Sequence, residues 1–410
     1  MRCRICDHPA PEKFLSLGTL PLANNFLKAE DFSRPEPRYP LELAFCPQCS
    51  LVQLTEVVPP EVMFRHYVYV TSTTKTFQEH FRILAEEVTR IATLSPGDLV
   101  VDIGSNDGLL LKRFKALGAA VVGIEPAANL AKMAEGSGIE TVNAFFGKDA
   151  VDEVLRRHGK ARAITATNVF AHMHDVKSAV TMVKELLAEE GVFAIEVQSL
   201  PDMLEKMTFD NIYHEHLSYF SVLSLTELFQ TADMEIFHVE HVESHGGSLR
   251  VYIQQKGVKR RAEPSVERFR ERERSVGMKD IRIYRDFARR VTEVRDSLVQ
   301  RVRSIRSEGK TIACYGAPAK GNTLLCYCGL GNEELQFVVE DNPLKVGLYT
   351  PGSHLPVVDR SVLEDRPPDW LLILAWNFAD EIASKTQHLR ERGVRFLVPL
   401  PKLREIGKPS

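Results

Sequence analysis

Two Cys-x-x-Cys pairs near the N-terminus constrain the fold of this chain more than any other feature. Cys3 and Cys6 form the first pair, and Cys46 and Cys49 form the second. Two such turns can place four thiolates tetrahedrally around one zinc ion, and four cysteine ligands leave no open position, so we predict a structural zinc. The gap between the pairs, roughly forty residues, exceeds that of a compact finger and requires a loop or small hairpin. Four free, buried cysteines are the alternative, but two independent pairs seldom arise by chance in so short a segment.

Length and composition indicate a globular protein of more than one domain. The chain has 410 residues, 44% hydrophobic and 26% charged, which predicts two or three domains. Its formal net charge of -3 provides no global basic field for nucleic acid or an anionic membrane. Seven cysteines, with four in metal spacing, favour a reducing compartment. The N-terminus lacks the apolar core of a signal peptide, and no apolar stretch approaches the ~20 residues that span a bilayer, so we expect a cytoplasmic protein.

An alternation of strands and helices follows the cysteine module. Phe77, Phe81, Leu84 and Val88 recur at helical spacing and predict an amphipathic helix over residues 77–93. Strands are predicted at residues 99–103, 120–124, 163–167 and 192–197. Helices lie between these strands, and this alternation predicts a doubly wound parallel sheet.

The composition changes again beyond residue 263. Residues 264–308 are highly charged. Apolar side chains recur every three or four positions from Tyr284 to Ile305, which predicts a long amphipathic helix in this region, ended by Gly309. Acidic residues interleave with its arginines, so a solvated face is favoured over a nucleic-acid surface. A second α/β pattern follows, with strands predicted at residues 311–315, 337–340, 370–375 and 394–398.

These patterns together predict an α/β fold with two Rossmann-like doubly wound domains and a small N-terminal zinc-binding module. The expected boundaries are 1–66 for the zinc module, 67–263 for the first α/β domain, 264–308 for the linking helix region and 309–410 for the second α/β domain.

The turn after the first predicted strand has the character of a cofactor loop. Its Asp102-x-Gly104-x-Asn106-x-Gly108 spacing lacks the complete glycine set that holds a pyrophosphate. Asp102 ends its strand, where an ammonium group or its bridging water can sit. Glu125 ends the next strand, where a carboxylate can accept both hydroxyls of a ribose. These details favour S-adenosylmethionine over a dinucleotide.

Asn168 follows the strand predicted at residues 163–167 and therefore reaches the same carboxyl edge of the sheet. Ligands bind at this edge, so Asn168 is a further candidate for cofactor binding. A helix cap is an equally good interpretation of an asparagine at this point.

A dense cluster of polar and aromatic side chains marks the catalytic candidate, namely Tyr213, His214, Glu215, His216 and Tyr219. A histidine can remove a proton from a carbon that a neighbouring carbonyl acidifies. A glutamate can fix the imidazole tautomer, and a tyrosine can donate to the developing oxyanion. A surface loop with solvated histidines is the alternative. A second metal site through His214 and His216 is another, but it lacks an obvious third ligand nearby.

Taken together, these motifs resemble the sugar C-methyltransferase family of branched deoxysugar biosynthesis, typified by nucleotide-sugar C-3 methyltransferases. The resemblance spans nearly the whole chain, and the Tyr-His-Glu-His string at residues 213–216 is its most diagnostic part. It rests also on the four cysteines and on residues 18–25, 103–109, 168–175, 245–250, 316–322 and 351–356.

The resemblance implies a zinc module, a central S-adenosylmethionine domain and a C-terminal Rossmann-like domain that binds a nucleotide sugar. A nucleotide-linked 4-keto-deoxysugar would lie between the last two domains, and His216 would be the base that removes its C-3 proton. The residues implied around the base are Tyr213, Glu215, His172 and, between the zinc module and the cofactor domain, Tyr67, with Tyr69 as the alternative to Tyr67.

Glycine turns in both α/β domains offer backbone N–H groups for the diphosphate of such a substrate. The residues expected there are Gly247, Arg250, Lys320 and Asn322, with the arginine and the lysine as counter-charges. Solvated cations at these two positions are an equally good interpretation.

Two other classes of protein remain open from the sequence. The first is an RNA methyltransferase with the zinc module as reader, which predicts a basic module, whereas basic residues do not outnumber acidic residues within residues 1–60. The second is a non-catalytic protein that binds S-adenosylmethionine or a nucleotide sugar. We expect neither nucleic acid nor membrane as a partner. The expected nucleotide is dTDP, with CDP and GDP open, and a monomer is compatible with the sequence.

Overall fold

The structure is a computed structural model that describes residues 1–64 and 75–407, apart from the side chains of residues 64, 75–77 and 245. Its strands, in chain order, are β1 (Glu12–Leu20), β2 (Tyr39–Phe45), β3 (Val52–Leu54), β4 (Leu99–Ile103), β5 (Ala120–Ile124), β6 (Thr141–Val142), β7 (Ala161–Thr167), β8 (Leu187–Gln198), β9 (Ser218–Tyr219), β10 (Met234–Val242), β11 (Ser248–Gln255), β12 (Ile312–Tyr315), β13 (Val338–Val339), β14 (Val357–Val358), β15 (Trp370–Ile373), β16 (Arg395–Val398) and β17 (Arg404–Ile406). Its helices are α1 (Pro60–Phe64), α2 (Lys75–Ala92), α3 (Leu109–Ala116), α4 (Ala128–Gly136), α5 (Lys148–His158), α6 (Val176–Leu186), α7 (Leu200–Glu205), α8 (Val222–Gln230), α9 (Pro264–Ser275), α10 (Ile281–Ser307), α11 (Ala319–Cys328), α12 (Val362–Asp365), α13 (Ala379–Lys385) and α14 (Gln387–Glu391).

The strands next to the N-terminal cysteine turns belong to an antiparallel sheet with the strand order β1-β2-β3-β9. Leu15 and Leu17 alternate along β1 with exposed residues, and this apolar face packs in one core with α10. The fourth strand comes from far along the chain, since Val52 pairs with Tyr219. The segment that follows residue 216 is therefore hydrogen-bonded to the N-terminal sheet.

The central sheet has strand order β10-β11-β8-β7-β4-β5-β6. All residues of β4 are buried, as expected for a parallel strand that helices cover on both faces. Phe81 of α2 and Phe114 of α3 pack against one face, and Val151 of α5 and Val180 of α6 pack against the other. This arrangement confirms the predicted double winding. The parallel pairing does not extend across the whole sheet, because β11 is antiparallel to both β8 and β10.

The linking region consists of two helices, of which the sequence predicted only one. The break between α9 and α10 contains Gly277, whose φ of +83° lies outside helical geometry and favours glycine. The apolar stripe of the second helix is buried as predicted, at Tyr284, Phe287, Val291, Leu298, Val302 and Ile305.

The C-terminal sheet has strand order β14-β13-β12-β15-β16-β17, and its pairs are parallel except the last. Helix α11 begins at Ala319, so Lys320 to Asn322 form its first turn and do not belong to a glycine turn. This places Lys320 directly at the carboxyl edge of β12. The two α/β sheets confirm the predicted fold class.

Within the ranges described above, no helix combines the length and apolar character that a membrane crossing requires.

Candidate active site and metal centre

A cavity of about 1360 Å³ opens where the three sheets approach one another. Its walls include Asn24 from the N-terminal module, the carboxyl ends of strands in the central sheet, and the carboxyl ends of β12, β13 and β15. Ligands of open parallel sheets bind at these carboxyl ends. A single drug-sized ligand occupies roughly 300–1,000 Å³, so this cavity has room for two ligands side by side.

Two buried carboxylates line the part of the cavity formed by the central sheet. The Thr165 hydroxyl donates to Asp102 at 2.6 Å, and burial raises the pKa of Asp102 to about 7. Glu125 accepts the backbone N–H of Asn106 at 2.9 Å and that of Ala127 at 2.8 Å. Each oxygen of Glu125 uses one lone pair in this way and keeps a second one.

The turn between β4 and α3 is fixed by close backbone approach. Gly104 has a φ of +68°, and a Cβ atom there would lie 2.7 Å from Val169 Cγ2. Gly108 is the N-cap of α3 and has a φ of +77°. It does not line the cavity, so its role is to shape the start of the helix and not to contact a ligand.

Asn168 lines the cavity beside this turn, and its backbone N–H donates to the carbonyl of Glu196 at 2.9 Å. The helix-cap interpretation is wrong, because Asp175 caps α6. Asp102, Gly104, Asn106, Glu125 and Asn168 thus surround one end of the cavity. This donor set suits S-adenosylmethionine, which carries an ammonium group and a ribose diol.

The catalytic candidate lies at the middle of the cavity. His216 is 7% exposed, and its Nδ1 lies 2.7 Å from the backbone carbonyl of Asn211. A carbonyl only accepts, so Nδ1 carries the proton and Nε2 keeps a basic lone pair. The Tyr213 ring packs on the imidazole with centroids 4.1 Å apart, and both residues line the cavity.

His172 also lies beside His216, with ring centroids 5.1 Å apart. The backbone N–H of Leu217 donates to the Ala171 carbonyl at 2.9 Å, and this bond brings the two segments together. Burial lowers the pKa of His172 to about 4, so its ring is neutral at working pH. A neutral imidazole next to the base does not oppose protonation of His216.

Two residues beside His216 in the motif, Glu215 and His214, do not line the cavity. Glu215 accepts a hydrogen bond from the Asn24 amide at 2.6 Å and is absent from the cavity walls, unlike the expectation that it lines the site. His214 Nε2 donates to the Tyr39 carbonyl at 3.1 Å. A second metal site through His214 and His216 is therefore wrong, because the two rings point into different modules.

The structure does not bring Arg250 to the cavity, which corrects its assignment to the diphosphate. Arg250 is 3% exposed, and its Nε donates to Glu196 at 2.6 Å. The cause is strand pairing, since β11 lies beside β8 with Arg250 opposite Glu196. Its charge is already neutralised inside the sheet, with Glu240 as a further partner at 3.4 Å.

Two other residues expected at the diphosphate also lie outside the cavity walls. The Asn322 amide donates to the Ala23 carbonyl at 2.8 Å and holds α11 against the N-terminal module. Gly247 packs on Asp202, whose Cγ would lie 2.6 Å from an added Cβ atom. Both residues therefore serve packing between elements.

Lys320 alone among the predicted substrate residues lines the cavity. Its Nζ lies 5.8 Å from the centroid of the Trp376 ring, and burial lowers its pKa while Asp210 opposes that shift. The Trp376 indole donates to Asp210 at 2.5 Å. Lys320 is therefore a desolvated cation at the carboxyl edge of the C-terminal sheet.

Sequence reasoning missed a second cation and a histidine in the cavity walls. Lys345 is 8% exposed, and its ammonium group donates to the Ala317 carbonyl at 2.8 Å. His80 on α2 lies 2.7 Å from Glu196. Lys345 lies in the loop after β13. Ligands bind at the carboxyl ends of parallel strands, so the reasoning that predicted Glu125 also applies to this loop. The sequence carried no comparable signal for His80.

The four cysteines form one cluster in which all sulfur atoms lie within 4.8 Å of one another. Cys3 and Cys49 sulfurs are 3.4 Å apart, and Cys6 and Cys46 sulfurs are 3.5 Å apart. A tetrahedral zinc with bonds of about 2.3 Å places its sulfurs about 3.8 Å apart, so the cluster fits zinc. Tyr67 and Tyr69, the expected aromatic candidates, lie outside the described residues.

Comparison with known proteins agrees with this geometry. Three family descriptions match the chain: a zinc binding domain at residues 3–64, a methyltransferase domain at residues 77–239 and a C-methyltransferase C-terminal domain at residues 243–401. The C-methyltransferase NovU of Streptomyces niveus is 39% identical over 408 residues, which cover 100% of this chain and 97% of NovU.

The fold and the site are therefore those of an S-adenosylmethionine-dependent C-methyltransferase, with zinc as the metal of its cysteine module. The chain belongs to the sugar C-methyltransferase family, as its motifs indicated. Its substrate is a small molecule, so the RNA methyltransferase and the non-catalytic binding protein are both wrong.

Solved methyltransferases overlap the chain only in part. Magnesium protoporphyrin IX methyltransferase of Synechocystis, solved with S-adenosylmethionine bound, is 12% identical, covers 44% of this chain and 79% of its own, and gives a TM-score of 0.34. An S-adenosylmethionine-dependent methyltransferase of Clostridium acetobutylicum is 12% identical, covers 44% of this chain and 92% of its own, and gives a TM-score of 0.36. Overlaps at this level add nothing to the fold described above.

Proposed function

We propose that this enzyme methylates the carbon next to the ketone of a nucleotide-linked 4-keto-deoxysugar, at C-3, with dTDP as the expected nucleotide. One observation carries the proposal. The buried imidazole of His216 lines the cavity with its Nδ1 committed to the Asn211 carbonyl, so that Nε2 is the basic atom. A histidine base suits a carbon acid only where a carbonyl stabilises the carbanion.

Proton removal begins the proposed reaction. The Nε2 atom of His216 accepts the C-3 proton, and the electron pair of the broken C–H bond delocalises onto the C-4 oxygen. The Asn211 carbonyl then stabilises the imidazolium through Nδ1. The Tyr213 hydroxyl donates to the enolate oxygen, where a preorganised donor lowers the barrier most. His172 stays neutral and excludes water from the imidazole.

The central sheet orients the second partner of the reaction. S-Adenosylmethionine, when bound, supplies an electrophilic methyl group to the enolate carbon. Asp102 would hold its ammonium group, Glu125 its ribose hydroxyls, and Gly104, Asn106 and Asn168 the remaining contacts. Holding both partners at contact distance provides a large share of the acceleration, because a bimolecular step becomes effectively unimolecular.

The C-terminal sheet supplies the cations for the diphosphate. Lys320 and Lys345 both line the cavity, and burial lowers the pKa of each, so an anion there stabilises both charged forms. Lys345 thereby takes the place assigned to Arg250 from the sequence. The role of Tyr67, the cytoplasmic location and the oligomeric state stay predictions.

The test is mass spectrometry of 4-keto nucleotide sugars incubated with the enzyme and S-adenosylmethionine labelled in its methyl group. We expect a mass gain of one methyl group, attached to carbon, on a 4-keto dTDP-deoxysugar. The matched control is the same nucleotide sugar with a hydroxyl at C-4, which should not react because its C-3 proton is not acidic. Methylation of this control, or methyl transfer to oxygen or nitrogen, contradicts the proposal.

A further inference from the structure

The C-terminal sheet repeats the carboxylate arrangement of the cofactor site. Glu125 follows β5, and each of its oxygens accepts one backbone N–H. Glu340 follows β13 and does the same, accepting from Ala317 at 2.8 Å and from Asn342 at 2.9 Å. In each case one donor lies in the turn after the preceding strand and the other lies two residues beyond the glutamate.

The turns that face these carboxylates are also equivalent. Gly104 and Gly316 both have positive φ, +68° and +87°, and each N–H donates at 2.8 Å to the last residue of the next strand. An added Cβ atom would lie 2.7 Å from Val169 in the first case and 2.8 Å from Ala375 in the second. Val169 and Ala375 both follow the strand on the opposite side of the turn, so the two cradles share one geometry.

Glu340 faces the ligand space and has acceptor capacity to spare. It lines the cavity and is partly exposed, and each oxygen retains one lone pair after accepting a backbone N–H. Lys345 lies close enough that its charge interacts with that of Glu340. The Glu340 oxygens can accept hydrogen bonds from hydroxyl groups of a pentose, and the buried lysines beside them can bind the diphosphate joined to that pentose.

We propose that Glu340 binds the pentose of the substrate's nucleoside through its 3′-hydroxyl group, as a counterpart of the ribose site at Glu125. The inference rests on the proposed function and deepens it, because it assigns the nucleoside to the cradle after β12 and the diphosphate to the adjacent lysines. A vicinal diol would give Glu340 a second donor, but the 3′-hydroxyl is the group that ribo- and 2′-deoxyribonucleotides share.

A reciprocal binding experiment on the full chain tests the assignment. E340Q replaces one acceptor oxygen by an amide group that cannot accept from both backbone N–H groups and a hydroxyl. By calorimetry we expect E340Q to bind dTDP and UDP at least about tenfold more weakly, with adenosylhomocysteine binding unchanged. E125Q should show the reverse pattern. The retained ligand shows in each case that the variant is folded.

E381Q is the matched charge control, because Glu381 is an exposed carboxylate in the walls of the same cavity. Loss of a negative charge near an anionic ligand should leave dTDP binding unchanged or slightly tighter. A weakening confined to E340Q therefore reports lost hydrogen bonds and not altered charge.

A 3′-deoxy analogue of dTDP separates direct contact from a distorted turn. If Glu340 contacts the 3′-hydroxyl, wild type binds the analogue about tenfold more weakly than dTDP, and E340Q does not distinguish the two ligands. The assignment of Glu340 is overturned, while the proposed function stands, if wild type and E340Q bind dTDP equally well. The same holds if both proteins prefer dTDP over the 3′-deoxy analogue by the same factor. Failure of wild type to bind either dTDP or UDP overturns this assignment together with the proposed substrate class.

Discussion

The Nδ1 atom of His216 lies 2.7 Å from the backbone carbonyl of Asn211, and this contact fixes which ring nitrogen is basic. The preceding residue, Asp210, accepts the indole N–H of Trp376 at 2.5 Å. On the other side, the strand that begins at Ser218 pairs with the N-terminal sheet. The base is therefore oriented by contacts from all three parts of the chain.

Cofactor affinity should depend on pH through Asp102. Burial raises the pKa of this carboxyl to about 7, so at pH 6 it is mostly protonated and does not hold an ammonium group. Affinity for adenosylhomocysteine should therefore rise about tenfold from pH 6 to pH 8. Calorimetry at several pH values measures this slope. D102N should bind more weakly with a flat profile, and an unchanged slope in D102N would exclude Asp102 as its source.

Zinc should be needed for activity as well as for stability. Arg4, between two of the cysteines, donates to the carbonyl of Leu217 at 3.2 Å, directly after the proposed base. Loss of the metal should therefore loosen the catalytic segment. We expect metal analysis to find zinc in wild type and not in C6S, and we expect C6S to melt at a lower temperature and to lose methyl transfer.

C326S is the control for this change. Cys326 lies outside the metal cluster and donates to the Pro351 carbonyl at 3.3 Å, a contact that serine can keep. It should retain zinc and activity. Full activity of C6S without bound zinc would show that the module is dispensable for catalysis.

Arg250 and Lys320 should differ in what their substitution disturbs. R250M leaves Glu196 buried without its arginine partner, which typically costs about 3–5 kcal/mol of unfolding free energy. We expect a lower melting temperature and an unchanged KM for the nucleotide sugar. K320M should raise that KM about tenfold with little effect on melting. If R250M raised the KM for the nucleotide sugar as much as K320M does, Arg250 would have to be assigned to the diphosphate again.

The sequence predicted the cofactor end of the site because one geometric rule governs it. Asp102, Glu125 and Asn168 each follow a parallel strand, and the carboxyl ends of parallel strands meet at one edge. Arg250 could not be placed in this way. Its partner Glu196 lies 54 residues away on β8, and only the pairing of β11 with that strand determines that the guanidinium is buried.

The division of the linking region into two helices was missed for a local reason. An unbroken charge pattern spans residues 264–308, whereas the single Gly277 at positive φ ends one helix before the next begins. The pairing of β9 with the N-terminal sheet could not be predicted from the sequence either, because a strand of two residues has no periodicity to detect.

The most direct test of the account follows the C-3 proton itself. In deuterated water, with adenosylhomocysteine in place of the methyl donor, wild type should exchange the C-3 hydrogen of a 4-keto dTDP-deoxysugar, as seen by NMR. H214Q, which alters a ring that bonds the Tyr39 carbonyl, should exchange at a similar rate once corrected for the folded fraction. H216Q should be slower by about 10²–10⁴-fold while still binding adenosylhomocysteine. Exchange by H216Q at the wild-type rate would contradict the assignment of His216 as the base.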